Sequence, residues 1–427
     1  MIKHLLFLLS VFIAPAAFAA EMVNVEYIHK AIESRWDITV PYNPALGNPR
    51  VAANMKYLLT AVDRANEIIG SDAPKYGTGE FATLAAADTV ATQDAVNRLI
   101  ADAVQPKFTI TTTPDTTSFN FDMSARGRFV IDWGDGNRDV IVRKDTNAAT
   151  YSHTYKTAGE YKIGLSGRGT GYNDADYHLN PTPVITFRYN ENIAAIAGSL
   201  GAIFGTIGDG SSMWQQPVFR NALRECKNLN SEIPADLFKG VHGAPRDWMF
   251  AGTFQGSGFI GSIPENLFSG ISGPPVYAVF NNTFVNTKLT GSIPEKLFAG
   301  IRGAPAAYMF AGTFDYTSGL TGAIPAKLFA GISGAPAIYM YHATFRDNTG
   351  ITGEIPENLF GNISGDAADY MFAYTFVGCT GITGSSARMN GKYLYDIWPD
   401  APEFTSFQCY HQLTQLSDYE SIPANWK

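Results

Sequence analysis

Residues 132–161, the stretch DWGDGNRDVIVRKDTNAATYSHTYKTAGEY, contain five carboxylates, a histidine and an aspartate-glycine pair. Calcium is bound by several oxygen ligands, and such a site would use Asp132, Asp135, Asn137 and Asp139. Their spacing differs from the D-x-D-x-D-G order of the common calcium loop. Asp135-Gly136 is instead the pair that a tight hairpin turn requires, because glycine adopts positive φ without strain. We expect a structural turn and keep a calcium site as the alternative.

A second group of interest is a row of aromatic residues at one position of a repeated unit. The row consists of Trp248, Tyr308, Tyr339 and Tyr370, and Ala278 interrupts it. An aromatic ring face packs well on the apolar face of a sugar, so an exposed row would suit glycan binding. The neighbouring methionine and phenylalanine residues lie at helical spacing, which favours core lining. Both roles stay open.

Four short segments of the repeated units differ from one another in charge and size: 255–258, 286–288, 315–318 and 346–349. Variable segments held at one edge of a regular scaffold are where binding specificity usually resides. We predict partner contacts at Asp315, Tyr316, Arg346 and Asp347.

Catalytic and cofactor motifs are absent from the sequence: no G-x-S-x-G, H-E-x-x-H or phosphate-binding loop occurs. We therefore expect no catalytic residue, no cofactor and no enzymatic activity, although carboxylates from distant positions can still meet in a fold. The three cysteines, Cys226, Cys379 and Cys409, are too few for a disulfide framework. We expect them to be buried, with a bridge between Cys379 and Cys409 as the alternative.

Composition and the N-terminus indicate an exported globular protein. The 427 residues carry a net charge of -8, which disfavours a nucleic-acid partner. Lys3, the apolar run 5–14 and Ala17-Phe18-Ala19 have the order of a signal peptide, residues 1–19. We expect secretion or display at the cell surface, with the periplasm as a further location, and no transmembrane segment after cleavage.

Three further parts follow the signal peptide. Residues 20–105 have apolar positions at three- and four-residue steps, which predicts an α-helical segment. Residues 106–183 alternate apolar and polar side chains between turn residues, which predicts a small all-β sandwich. Residues 184–427 contain five units of 30 or 31 residues, which begin at the Ile-Pro pairs of Ile233, Ile263, Ile293, Ile324 and Ile355 and are flanked by cap units.

A regular period with atypical ends predicts a solenoid, since each unit buries its apolar face only against its neighbours. The Leu-Phe pairs, such as Leu297-Phe298, and the Thr-Phe phenylalanines, such as Phe314, are expected to point inward.

Two family resemblances refine this organisation. The units, for example FAGTF followed by GLTGAIP, resemble bacterial BspA-like leucine-rich repeats, which implies an α/β solenoid with a short helix in each unit. Trp133-Gly134-Asp135-Gly136, His153-Thr154-Tyr155 and Gly159-Glu160-Tyr161 resemble the signatures of a PKD (polycystic-kidney-disease-type) domain, which implies an immunoglobulin-like sandwich.

The function implied is a non-enzymatic adhesion or binding protein that presents its repeats to an extracellular protein or glycan. A self-associating structural component of the cell envelope is the alternative, and a secreted hydrolase with an unrecognised site is the second alternative. The evidence for all three is fold analogy rather than a defined site.

Overall fold

A computed structural model describes residues 105–173, 181–399, 402 and 404–427. The chain divides into two compact units: Met1–Pro106 with Ser166–Arg168, and Lys107–Leu165 with Gly169–Lys427. Nearly all of the described residues belong to the second unit. The predicted signal peptide and nearly all of the predicted helical segment lie outside the described residues.

Two sheets form the first part of this unit. One has the strand order β4-β3-β6-β1-β8 and the other the order β5-β2-β7. Strand pairs β1–β6, β1–β8, β3–β4, β2–β5 and β2–β7 are antiparallel. The strands are β1 Phe108–Thr112, β2 Thr116–Met123, β3 Arg126–Asp132, β4 Arg138–Arg143, β5 Ala149–Gly159, β6 Lys162–Gly171, β7 Ile185–Thr186 and β8 Ile193–Gly198.

Alternating burial explains why these residues form strands around one core. In β1, Phe108, Ile110 and Thr112 are buried, and Thr109 and Thr111 between them are partly exposed. The Phe108 and Phe187 rings, one from each side of the core, lie 6.0 Å apart. Phe121 and Trp133 are 6.3 Å apart. The apolar side chains of both sheets therefore share one interior.

The repeats do not form the predicted α/β leucine-rich-repeat-type solenoid, and the predicted fold class is wrong. Among the described residues, the single α-helix is α1, Leu394–Ile397, and no repeat contains a helix. The strands within the repeat region have only two residues each: β9 Ser333–Gly334, β10 Gly353–Glu354, β11 Asn362–Ile363, β12 Ile382–Thr383, β13 Arg388–Met389 and β14 Lys392–Tyr393. Three 3₁₀-helices complete the described elements: Met213–Gln215, Tyr419–Ser421 and Ala424–Trp426.

Consecutive tight turns occupy the place of the expected helix. We call this segment the turn ribbon: residues 248–257, 278–287, 308–317, 339–348 and 370–379. Within one ribbon the N–H groups of Phe310 and Gly312 donate to carbonyls of the next repeat, at 3.1 and 2.7 Å. The N–H groups of Ala311 and Thr313 donate locally, to the carbonyl three residues earlier. The backbone thus divides its hydrogen bonds between the local turns and the neighbouring repeat.

Left-handed backbone at every fourth residue prevents a helix in the ribbon. Tyr308 has φ 59°, Gly312 φ 61° and Tyr316 φ 52°. An α-helix requires an unbroken run of negative φ, and left-handed φ costs a non-glycine residue roughly 1–2 kcal/mol. The chain tolerates this strain because the same geometry directs alternate N–H groups to the next repeat.

Phenylalanines hold the stacked repeats together, and the predicted burial of their side chains is confirmed. Phe284 and Phe314 lie parallel with ring centroids 5.7 Å apart, and Phe298 and Phe329 lie 6.1 Å apart. Both pairs are buried and belong to adjacent repeats. Stacking at this distance adds to the apolar area that each ring removes from water.

Both ends of the repeat stack, residues 217–427, are covered. At its start, the N–H groups of Val184 and Phe187 donate to the carbonyls of Val218 and Ala222. Residues 184–187 of the two-sheet part therefore cover the first unit of the stack. At its end, the Tyr410 N–H donates to the Trp426 carbonyl, and the Trp426 ring is buried against Tyr410. Among the described residues, no helix is long and apolar enough to span a membrane.

Candidate functional site

The acidic stretch at residues 132–139 forms a hairpin between β3 and β4. The Trp133 N–H donates to the Asn137 carbonyl at 3.0 Å, and Gly134 and Gly136 have φ of 83° and 92°. The Trp133 ring is buried, and the His153 ring stacks on it at 5.1 Å. The Tyr155 hydroxyl donates to the Trp133 carbonyl at 3.0 Å. These contacts are those of a turn anchored to the core.

Each carboxylate of the predicted calcium site has its own protein partner. Asp132 pairs with Arg138, Asp135 accepts from Asn137 and lies 2.8 Å from His153 Nε2, and Asp139 accepts from the Trp133 indole N–H at 2.9 Å. Burial raises the pKa of Asp135, but the bonds from His153 and Asn137 outweigh it, so the pKa lies below its ordinary value. The described residues contain no group of three or more His, Cys, Asp or Glu side chains arranged for a metal.

The aromatic row forms a continuous ladder on the turn ribbon. The four rings are half-buried: Trp248, Tyr308, Tyr339 and Tyr370. At the unit where Ala278 interrupts the row, the ring of the preceding residue, Tyr277, takes the vacant place. The Tyr277 ring lies 5.4 Å from Trp248 and 5.5 Å from Tyr308. The Arg220 guanidinium lies 4.4 Å from the Trp248 ring, at one end of the ladder.

Close stacking restricts what the ladder can bind. Tyr308 and Tyr339 are 4.6 Å apart at 10°, and Tyr339 and Tyr370 are 4.5 Å apart at 3°. No sugar ring fits between faces at these distances, so a ligand reaches only the ring edges and hydroxyls. Phe404, which stacks on Tyr370 at 5.5 Å, is 49% exposed. Partner binding by this ladder stays a prediction.

A shallow groove of about 490 Å³ crosses the far end of the turn ribbon. Three of the four predicted contact residues of the variable segments, Asp315, Tyr316 and Arg346, line it, and Asp347 neighbours it in the chain. Its other lining residues are Glu225, Gln255, Asn282, Val285 and Asn286. We call this surface the ribbon groove.

A charged pair between two repeats forms one end of the ribbon groove. Arg346 Nε and Nη2 donate to the two carboxylate oxygens of Asp315 at 2.8 and 2.5 Å. Asp315 is only 5% exposed, and burial raises its pKa despite the bonds from Arg346. The guanidinium also lies 4.9 Å from the Tyr316 ring centroid. The pair therefore holds the tyrosine at the groove.

Tyr316 is the one aromatic residue among the lining residues of the groove, and it is 49% exposed. Arg346 lowers the pKa of the phenol, but the hydrogen bond and charge of Asp347, together with burial and Asp315, outweigh it, so the pKa lies above its ordinary value. The hydroxyl is therefore neutral at physiological pH and both donates and accepts hydrogen bonds.

Cys379 lies in the turn ribbon, at the buried position that Thr317 occupies two repeats earlier, and Cys226 and Cys409 lie in the flanking units. Cys379 Sγ lies 2.8 Å from the carbonyl of Phe345 in the preceding repeat. Thr317 Oγ1 lies 2.6 Å from the carbonyl of Phe284, which is likewise in the repeat before it. All three cysteines are free and buried, so no bridge joins Cys379 to Cys409. Burial raises the pKa of the Cys226 and Cys379 thiols to about 12, which leaves them unreactive near neutral pH.

Sequence reasoning missed several groove and ladder residues. Gln255 and Asn286 lie in the variable segments 255–258 and 286–288 but were not named as contacts, and Glu225, at the repeat position of Tyr316, lies in the unit before those segments. Tyr277 was missed because it lies one residue before the position of Tyr308. Its ring nevertheless reaches the ladder.

No protein-family model matches the chain, and neither a curated protein nor a solved structure shows significant similarity to it. The resemblance to BspA-like repeats and to PKD domains therefore stays a prediction.

Proposed function

We propose that this chain is an exported, non-enzymatic binding protein that presents the turn ribbon of its repeats to an extracellular protein or glycan. The observation that carries the proposal is the ribbon groove. It gathers residues from the first cap unit and four successive repeats on one surface, and these residues differ in side chain while buried phenylalanines and threonines recur beside them.

A regular scaffold with a variable edge separates stability from recognition. The buried phenylalanines and threonines recur from unit to unit, as Phe284-Thr283 and Phe314-Thr313 illustrate. Position 316, by contrast, corresponds to a glycine at 256 and an asparagine at 286. Substitution at that position changes the surface without changing the core, which is what a binding surface requires.

The capped ends count against the alternative of a self-assembling envelope component. Stacked repeats polymerise when their ends offer unpaired backbone and apolar side chains to another copy. Here residues 184–187 cover the first layer, and the Trp426 ring is buried at the last one. Growth from either end requires a cap to unfold.

A binding screen tests the proposal. The full-length exported protein is immobilised and exposed to a panel of extracellular matrix proteins and to a glycan array. Sedimentation velocity at several concentrations measures self-association in the same preparation. Saturable binding by a monomer supports the proposal. Concentration-dependent assembly with no ligand on either panel contradicts it and favours the envelope component.

A further inference from the structure

We propose that the ribbon groove binds a neutral glycan chain, with Tyr316 as the ring on which a sugar packs and the neighbouring side-chain amides as partners of its hydroxyl groups. This inference rests on the proposed function, since it names the ligand class of the same surface.

Charge in the groove excludes a strongly anionic or cationic ligand. Both oxygens of Asp315 are occupied by Arg346, and Glu225 lies 3.4 Å from Lys227 Nζ. Each charge in the groove therefore has a partner of opposite sign within the protein. An anionic ligand would displace Asp315 from Arg346 and leave a buried carboxylate without its partner, which is costly.

Three amide side chains supply the polar contacts that a glycan needs. Among the described residues, the side chains of Gln255, Asn282 and Asn286 have no hydrogen-bond partner. An amide both donates and accepts, and so does a sugar hydroxyl. Asn282 and Asn286 are held in the left-handed region with φ of 53° each, so the turn ribbon fixes their backbone before a ligand arrives.

Tyr316 supplies the apolar contact. Its ring is exposed, and the Asp315–Arg346 pair supports it. Tyrosine offers a large contact area at little conformational cost, and its hydroxyl adds a hydrogen bond at the ring edge. The aromatic ladder cannot serve in this way because its ring faces cover one another.

A peptide ligand fits the groove less well. Extended peptides bind by pairing with free backbone groups at a sheet edge or by inserting apolar anchors into pockets. In the turn ribbon, the N–H groups of Asn286 and Tyr316 already donate to the next repeat, at 2.9 Å each. Val285 is the one aliphatic side chain of the lining.

The dimensions fit a chain of several sugar units rather than a single one. The lining residues come from the first cap unit and the four repeats that follow it, between Glu225 and Arg346. Adjacent hydrogen-bonded units lie about 4.8 Å apart, so the four steps from the first to the last of these units span about 19 Å in total.

The test is isothermal titration calorimetry of the full-length protein with defined hexasaccharides. The neutral probes are the glucose, mannose, xylose and N-acetylglucosamine β-linked series, and oligogalacturonate is the anionic probe. We expect at least one neutral hexasaccharide to bind. Tyr316→Ala is expected to weaken it about tenfold, and Gln255→Ala several-fold, because each removes one type of contact.

Tyr189→Ala is the matched control. Tyr189 is also an exposed tyrosine with left-handed backbone and an arginine near its ring, 5.8 Å from Arg224, but it lies outside the groove. It should leave the affinity unchanged. Thermal melting verifies that each variant is folded, and alanine is already accommodated at left-handed ribbon positions, for example Ala343 with φ 51°.

Four outcomes contradict the inference in distinguishable ways. Preference for oligogalacturonate overturns the neutral ligand. Equal losses in Tyr316→Ala and Tyr189→Ala overturn the groove as the site. A protein ligand that depends on Tyr316, with no glycan bound, overturns the ligand class but leaves the proposed function standing. No binding of any probe or protein overturns both.

Discussion

Replacement of Thr313 by valine tests how the repeats are joined. Thr313 is fully buried, and its hydroxyl donates to the Phe310 carbonyl at 2.8 Å in its own turn and lies 3.0 Å from the Phe280 carbonyl of the preceding repeat. Valine keeps the shape of the side chain and removes only the donor.

The magnitude follows from what each carbonyl keeps. The Phe280 carbonyl still accepts from the Thr283 hydroxyl at 2.8 Å, and the Phe310 carbonyl still accepts from the backbone N–H of residue 313 at 3.2 Å, with the Thr344 hydroxyl 3.1 Å away. No buried acceptor is left without a donor, so the loss is that of one net hydrogen bond, about 1 kcal/mol in the free energy of unfolding. The penalty of about 1–3 kcal/mol for an unsatisfied buried group is not expected.

Thr321→Val is the control, because Thr321 is exposed and its N–H bond to Gly291 does not involve the side chain. The triple change of Thr283, Thr313 and Thr344 to valine should cost more than the sum of the single changes. It leaves the Phe280 and Phe310 carbonyls only their weaker backbone donors, at 3.3 and 3.2 Å.

Urea unfolding of the full-length variants, followed by circular dichroism, measures these differences at constant m-value. Two results would refute the reasoning that shared hydroxyl bonds join the repeats. One is an equal loss of unfolding free energy in Thr313→Val and Thr321→Val. The other is a triple variant whose loss is only the sum of the three single losses.

Three further predictions follow from individual side chains. Burial, and after it Arg346, lowers the pKa of His342 to about 4, so below pH 6.5 the unfolded chain takes up a proton that the folded chain does not. The free energy of unfolding should therefore fall by about 3 kcal/mol between pH 6.5 and 4. The variant His342→Ala should abolish that fall in urea titrations across this range. Alanine is the residue at the equivalent position of the preceding repeat, Ala311. Gly312→Ala should destabilise the fold by about 1–2 kcal/mol, because φ is 61° and the new Cβ would overlap Asn282 Oδ1. Thermal melts of the double variant, with Asn282→Gly added, should show that part of this loss is restored. If the double variant is no more stable than Gly312→Ala, the overlap with Asn282 is not the cause. Asp315→Asn should cost about 2 kcal/mol by leaving Arg346 without its carboxylate, and an unchanged urea midpoint would show that the pair contributes nothing.

The sequence predicts the period of the repeats but not the backbone inside them. The Ile-Pro interval of 30 or 31 residues reappears as the separation of bonded partners such as Thr321 and Gly291. The resemblance to BspA-like repeats implied a helix in each unit, and the four-residue spacing of Phe310 and Phe314, which is close to the helical period, did not argue against it. The left-handed conformation of Tyr308 and Tyr316 carries no signal in the residue type, since tyrosine rarely adopts it.

The candidate site was predicted only in part for a related reason. Asp315, Tyr316 and Arg346 were identified from their variability, but their ion pair and ring contact depend on how one repeat lies on the next. The predicted calcium ligands illustrate the converse. Their residue types fit a cation, yet each carboxylate is bound to a neighbour that only the folded hairpin brings near.

The most direct test of the binding account places the same new charge on two surfaces of the repeat stack. Gln255→Lys lies in the ribbon groove, and Thr321→Lys lies at an exposed position outside it. With the ligand found in the screen, the account predicts that Gln255→Lys abolishes binding and that Thr321→Lys leaves it unchanged. Undiminished binding by Gln255→Lys, or equal loss in both variants, would contradict the ribbon groove as the binding surface.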